Sequence, residues 1–298
     1  FNTHGYHRTK QEISKRNNLH QWTTGVRYSL HHKSSSGGIN AVAYQFSMPL
    51  VVTAKAYDRN SINSNFWMNA SVDYSFYLHN WHFFTENAID KKGAYAGLFG
   101  GLLSLTKQLD VGLLLRMLSK KYQSLYATSF TESSLPSNEN GFFFCINASP
   151  FSKLQLHLFA DVFCFPWLRY TINHPSVGME NLLQLTYRPT KSEEFLILAR
   201  AEQKDHNVSS ADAPGPIKAV ASLQKRVWRF QWQKKLGDKS RFTIRVESTS
   251  LFSLSNDNLP ASKGFLSFID WKYVWGRSGF SSHLRCQFFD TDSYESAV

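Results

Sequence analysis

Few groups in this sequence could do covalent or metal chemistry, and they are scattered. Ser281 and His283 share one face of an extended stretch, as do Ser248 and Ser250. Hydrolysis by such a pair needs a third group that orients the histidine. No third member stands at a fixed spacing, and no G-x-S-x-G run occurs. A membrane hydrolase that depends on His283 stays open as one reading. Among the 11 histidines, His4 and His7 are close together, and so are His31 and His32. Neither pair has a third ligand at metal spacing, and strand neighbours such as His31 and His32 point to opposite faces. Cys145, Cys164 and Cys286 are an odd set without metal spacing and read as unpaired thiols. Asn138, Glu139 and Asn140 offer too few oxygen donors for a Ca²⁺ site, so the polar stretch 129–141 reads as a solvated loop. These patterns predict no catalytic residue, no metal and no cofactor.

Charge placement is more informative. In "RFTIRVESTSLF" (241–252), Arg241, Arg245 and Glu247 occupy odd positions, with Phe242, Ile244 and Val246 between them. Successive side chains of a strand point to opposite sides, so one face carries charge and the other hydrocarbon. The same alternation recurs along the chain. It assigns Arg27, Asp73, Arg116, Asp161, Arg200, Glu202, Arg229, Arg245, Glu247, Asp270 and Arg285 to the polar face. Both signs occur, even within one strand. That mixture suits a paired network filling an interior better than the one-sided field of a committed ion channel.

The elements that carry this pattern are about 14 strand-like segments of roughly eight to twelve residues. Their connections alternate. Short links fall near 33–38, 79–80, 107–109, 150–153, 189–192, 236–239 and 276–279. Longer ones fall at 49–65, 118–140, 164–179, 204–221 and 253–262, with a moderate one at 89–92. Alternating link lengths fit antiparallel strands crossing between two unlike surfaces, with tight periplasmic turns and long outer loops. Trp22, Trp67, Trp81, Trp228, Trp232, Trp271 and Trp275 lie in strands or near their ends, where interfacial aromatics sit. Trp22, Trp228, Trp232 and Trp271 are the residues we expect to face lipid. No run reaches the roughly 18–20 apolar residues of a spanning helix. The fold class expected is an all-β, antiparallel transmembrane β-barrel in a bacterial outer membrane, formed by 1–298 as one domain.

The long-loop reading sets the orientation. The first strand runs inward, so 1–20 and 290–298 belong to outer loops. Both ends of the barrel segment are then extracellular, which leads us to expect further strands at one or both edges. In "FCFPWLRYTINHP" (163–175) two prolines break the ladder and leave an aromatic loop. Phe165, Trp167 and Tyr170 are its candidate contact residues, for a partner or for the barrel's own mouth. The net charge of +11 has its sharpest cluster at 223–239, interleaved with Trp and Phe. That cluster would fit nucleic acid, but its aromatics cannot stack on bases if they face lipid.

Several stretches together carry a family resemblance: "HRTKQEI" (7–13), "YATSFTESSLPSNENGFFF" (126–144), "ADVFCFPWLRYTINHPSVG" (160–178), "LLQLTYRP" (182–189), "IRVES" (244–248), "GFLSFIDWKY" (264–273) and "FFDTDSYES" (288–296). They resemble the outer-membrane barrel region of Bacteroidota helix-hairpin-helix domain-containing proteins. The helix-hairpin-helix segment itself is absent from this sequence. The resemblance implies an outer-membrane barrel and, through that absent segment, a DNA-uptake or DNA-binding role. The expected function is a non-enzymatic scaffold, channel or accessory subunit of a larger envelope complex. Its expected partners are membrane lipid, lipopolysaccharide and other outer-membrane proteins, with DNA only by family analogy.

Overall fold

The computed structural model describes residues 8–296 apart from 15, 17, 52–54, 171, 209–218, 255–260 and 277–278. Fourteen strands follow one another: β1 Gln21–His32, β2 Ser35–Phe46, β3 Phe66–Leu78, β4 Trp81–Asp90, β5 Tyr95–Thr106, β6 Leu109–Leu118, β7 Glu139–Phe151, β8 Leu154–Phe165, β9 Ser176–Thr190, β10 Glu193–Val208, β11 Ala219–Leu236, β12 Ser240–Ser253, β13 Ser262–Trp275 and β14 Phe280–Thr291. A short helix, α1 (Lys10–Ser14), precedes them. They form one antiparallel sheet in which each strand pairs only with its sequence neighbours. This all-next-neighbour meander is the architecture of an outer-membrane barrel wall. The sheet is open: β1 and β14 are its two edges and are not paired with each other.

The alternation of short and long connections is present. Two differences have a local cause. The link expected at 204–221 shrinks because β10 and β11 stay paired up to Val208 and Ala219. These strands have 16 and 18 residues, longer than a membrane crossing requires. Asp290 and Thr291, expected in an outer loop, still pair with β13.

The register separates two faces. Crossing from β10 to β13, Ile197 stands opposite Phe230, Phe230 opposite Val246, and Val246 opposite Ser267. Residues of this parity are bare: Val26 is 69% exposed, Trp228 58% and Leu284 67%. A soluble monomer rarely exposes apolar patches beyond a few hundred Å²; here the exposed hydrophobics run across the whole sheet. The other face is covered at its long-loop end. Tyr44, Phe46 and Trp67 are buried there under Ile62, with Leu50 and Leu125 packed alongside.

Charges bound the bare band at both ends. On the same face, Arg226 stands opposite Ser250 and Ser250 opposite Lys263 on the long-loop side. Glu193 and Lys234 pair on the short-turn side. Eight residues of a strand tilted by about 40° separate Arg226 from Lys234, a height of roughly 20 Å, close to the apolar band of an outer-membrane barrel.

One inner-face glycine has a packing role. A Cβ on Gly141 would come within 2.3 Å of the Arg116 guanidinium carbon. Gly141→Ala should therefore displace Arg116 and lower stability by about 1–3 kcal/mol. Chemical unfolding in micelles checks this, and an unchanged midpoint would count against the packing assigned to Gly141.

Candidate functional site: the charged inner face and its loop cap

All eleven charged residues singled out by alternation have inner-face parity and fall in three groups, of which Arg27 and Arg285 at the two edges stay well exposed. Near β1, Arg27 donates to Asn40 (2.9 Å) and to Asp73 (3.4 Å), and Asn40 donates to Asp73 (2.9 Å) and Ser71 (3.1 Å). Near the opposite edge, Arg229 grips Glu247 through two nitrogens at 2.5 and 3.0 Å. Arg285 holds Asp270 in the same way at 2.6 and 2.7 Å. Arg245 sits between those pairs. It donates twice to the amide oxygen of Gln231 and lies 5.1 Å from the Phe268 ring centre.

The middle group is the most buried. The side chains of Arg116 and Glu139 are both fully buried. Arg116 Nε donates to Glu139 at 2.5 Å, and its two terminal nitrogens donate to Asp161 at 2.9 and 3.1 Å. Glu139 also accepts the backbone N–H groups of Glu132 and Ser133. A second set continues across β9 and β10. Arg200 Nη2 donates to Glu202 at 3.0 Å. Arg200 Nε lies 2.9 Å from Glu180, an ion pair without a well-aligned hydrogen bond. Lys204 pairs with Glu202 and with Glu132 of the loop.

Sequence reasoning missed Glu180, Lys204 and Glu132, and weighed Glu139 only as an oxygen donor for Ca²⁺ and not as an ion-pair partner. Glu180 shares its strand face with Leu182 and Gln184, and Lys204 has the parity of Arg200 and Glu202, so alternation could have found both. Glu132 and Glu139 both lie in the stretch 129–141 expected to be a solvated loop. That expectation is corrected: the loop folds inward because Glu139 and Glu132 meet buried cations.

This loop, 119–138, caps the long-loop end. The Gln123 carbonyl accepts from Trp67 Nε1 (3.0 Å) and Asn69 (2.8 Å), and the Gln123 N–H donates to Asp90 (3.1 Å). Tyr126 Oη donates to Gln21 of β1 at 2.7 Å. One loop leaving β6 therefore reaches β1, β3 and β4 on one side and, through Glu132, β10 on the other.

The tryptophans divide by face. Trp22 and Trp228 stand exposed on the bare face. Trp232 and Trp271 lie on that face near the short turns, and their indole N–H groups donate to Glu193 (2.9 Å) and Ser240 (2.8 Å). An apolar body with a polar tip is what an interface selects. Trp67 departs from the girdle expectation: it has inner parity and is 1% exposed beneath the loops.

Phe165, read as an outer contact, is instead the buried last residue of β8, 1% exposed, with the Arg169 guanidinium 3.7 Å from its ring centre. Its odd parity directs it inward. Trp167 is half-buried and donates its indole N–H to the Ala56 carbonyl at 3.2 Å. Tyr170 is 76% exposed and meets Tyr57 edge-on at 5.6 Å. His283 lies 3.5 Å from Asp270, a carboxylate already held by Arg285. No hydrogen bond joins His283 to Ser281 among the described residues. The aromatics of 223–239 face the bare side, and Arg229 of that stretch is committed to Glu247.

No family model and no curated protein matches this chain. Among solved structures it is similar to Pseudomonas aeruginosa OprD, at 10% identity and a TM-score of 0.44, over 93% of this chain and 86% of that one. It is similar to Pseudomonas aeruginosa OccK10 (OpdN) at 10% identity and 0.45, over 93% and 92%. Pseudomonas aeruginosa OccK3 (OpdO) gives 10% and 0.45, over 92% and 88%. Likeness this distant leaves the assignment to the geometry of the chain itself.

Proposed function

We propose that this chain forms the wall of a non-enzymatic β-barrel in a bacterial outer membrane, with an occupied interior and a mouth closed by loops. It serves as a scaffold or accessory subunit of an envelope assembly rather than as an open pore. The observation that carries this reading is the contrast between the two faces. One is bare, apolar and bounded by charge at two levels. The other is ion-paired and roofed by loop 119–138.

Both edge strands are exposed along nearly their whole length. An unpaired edge in lipid leaves N–H and C=O groups unsatisfied at several kcal/mol each. We infer that β1 and β14 pair with further strands in the membrane. Outward Arg226 and Lys263, at one level, suit the phosphates of lipopolysaccharide. The family resemblance adds a DNA role only through a helix-hairpin-helix segment, and the basic–aromatic stretch 223–239 turns its aromatics to the bare face, away from any nucleic acid.

The test is fractionation followed by electrical recording. The protein should remain with outer membranes after high-salt washing, require detergent for release, and give no sustained conductance in planar bilayers. Recovery in aqueous buffer without detergent overturns the membrane assignment. A steady ohmic conductance overturns the closed-mouth reading and favours a channel.

A further inference from the structure

Three loops at the mouth line a half-open cavity of about 310 Å³, the lower range for small-molecule sites. They are the segment around Tyr57, loop 119–138 and loop 166–175. Loops normally move, but these are fastened to one another. The Asn138 side chain accepts the Trp167 N–H (2.8 Å) and donates to the Trp167 carbonyl (3.0 Å). Asn138 has φ 58, a left-handed conformation that asparagine tolerates better than most residues. Trp167 in turn bonds Ala56, and Arg169 and Ile172 exchange backbone hydrogen bonds at 3.1 Å. A small cavity with walls fixed from three directions is pre-organised for a ligand.

Its lining has a definite chemistry. Lys120 and Arg169 contribute two cations, and Asp58 the one carboxylate. Neither cation has a carboxylate within ion-pair distance among the described residues. The Lys120 ammonium lies 4.7 Å from the Trp167 ring centre. Arg169 rests on Phe165, its Nη2 makes a long contact with Ser176 (3.5 Å), and its buried Nε has no partner among the described residues. The acids whose charge reaches Arg169 are engaged elsewhere: Glu132 with Lys204, Glu139 with Arg116, and Asp205 with the Val177 N–H. Burial pushes the Arg169 pKa down, the sign of a cation losing water without gaining a close counter-ion. A desolvated, under-paired guanidinium is costly unless an anion meets it. Around the cations stand the hydroxyls of Ser133, Ser134 and Ser137 and the aromatic side chains of Tyr57, Trp167 and Tyr170. Hydroxyl partners beside flat aromatic surfaces suit a sugar ring, whose edge is polar and whose faces are C–H.

We propose that this mouth cavity is a binding site for one anionic sugar residue, a sugar acid or a sugar phosphate, with Arg169 and Lys120 holding its charge. The site goes beyond the closed-barrel reading and does not require it, since a soluble ligand reports on it in purified protein.

The probes are glucuronate, glucose 6-phosphate, glucose and inorganic phosphate, titrated into the full detergent-solubilised chain by calorimetry. Saturable binding of glucuronate, of glucose 6-phosphate or of both, at least tenfold tighter than glucose, is expected, and the tighter of the two names the anion. Arg169→Gln and, independently, Lys120→Gln should each weaken it about tenfold. Lys120 is exposed, so its variant keeps the test valid if Arg169→Gln folds poorly. Equal binding of glucose, unchanged binding by Lys120→Gln, or no saturable binding overturns the site. Inorganic phosphate binding as tightly as glucose 6-phosphate overturns the sugar assignment.

Discussion

Arg116→Ala should lower the free energy of unfolding by about 3–5 kcal/mol, the cost of breaking a buried ion pair by removing one partner. The physical reason is what remains. Glu139 is fully buried, and without Arg116 its carboxylate keeps only the loop amides of Glu132 and Ser133. Asp161 loses both of its guanidinium contacts at once. Loop 119–138 should loosen as well, because Glu139 ties it down. The double variant Arg116→Met, Glu139→Gln separates pair loss from stranded charge. It restores volume, keeps an acceptor for the loop amides and removes one unpaired carboxylate, so it should be more stable than Arg116→Ala. Urea unfolding in micelles measures both. A loss under about 1 kcal/mol for Arg116→Ala would show that water reaches this group and that the interior is not filled there.

Ile197→Arg should cost about 2–4 kcal/mol when folding is measured in lipid vesicles, because it puts a guanidinium near the middle of the hydrocarbon layer. Ile197 belongs to the bare row with Phe230 and Val246, halfway between the Arg226 and Lys234 levels. Gln184→Arg is the matching control. Gln184 lies on the inner face opposite His157 and Leu198, beside a polar inner cavity, where a charge stays solvated. Its cost should be near zero. Equal costs at the two positions would mean that both faces meet the same solvent, and the membrane reading would fail. The comparison needs no knowledge of ligand or partner.

Much of the fold was legible because strand parity is a property of the backbone. Arg27 and Arg285 are 258 residues apart, yet period-two alternation assigns both to one face. Alternating link lengths likewise give strand order once every strand pairs with its neighbour. Parity failed where it was not applied. Residue type alone points Trp67 to the girdle and Phe165 to a loop, although both have inward parity and are buried. Loop 119–138 was illegible for a different reason. No periodicity governs a loop, and the meaning of Glu132 and Glu139 depends on Lys204 and Arg116, which only three-dimensional closure brings near.

The sequence by itself therefore determined the strands, their order and which side chains share a face, since each depends on neighbours one or two residues away. Tertiary structure decided which charges pair, that a single loop roofs the inner face from β1 to β10, and that Arg169 and Lys120 meet in one cavity. Those contacts join residues distant along the chain, and nothing local encodes the distances that make an ion pair or leave a guanidinium without one.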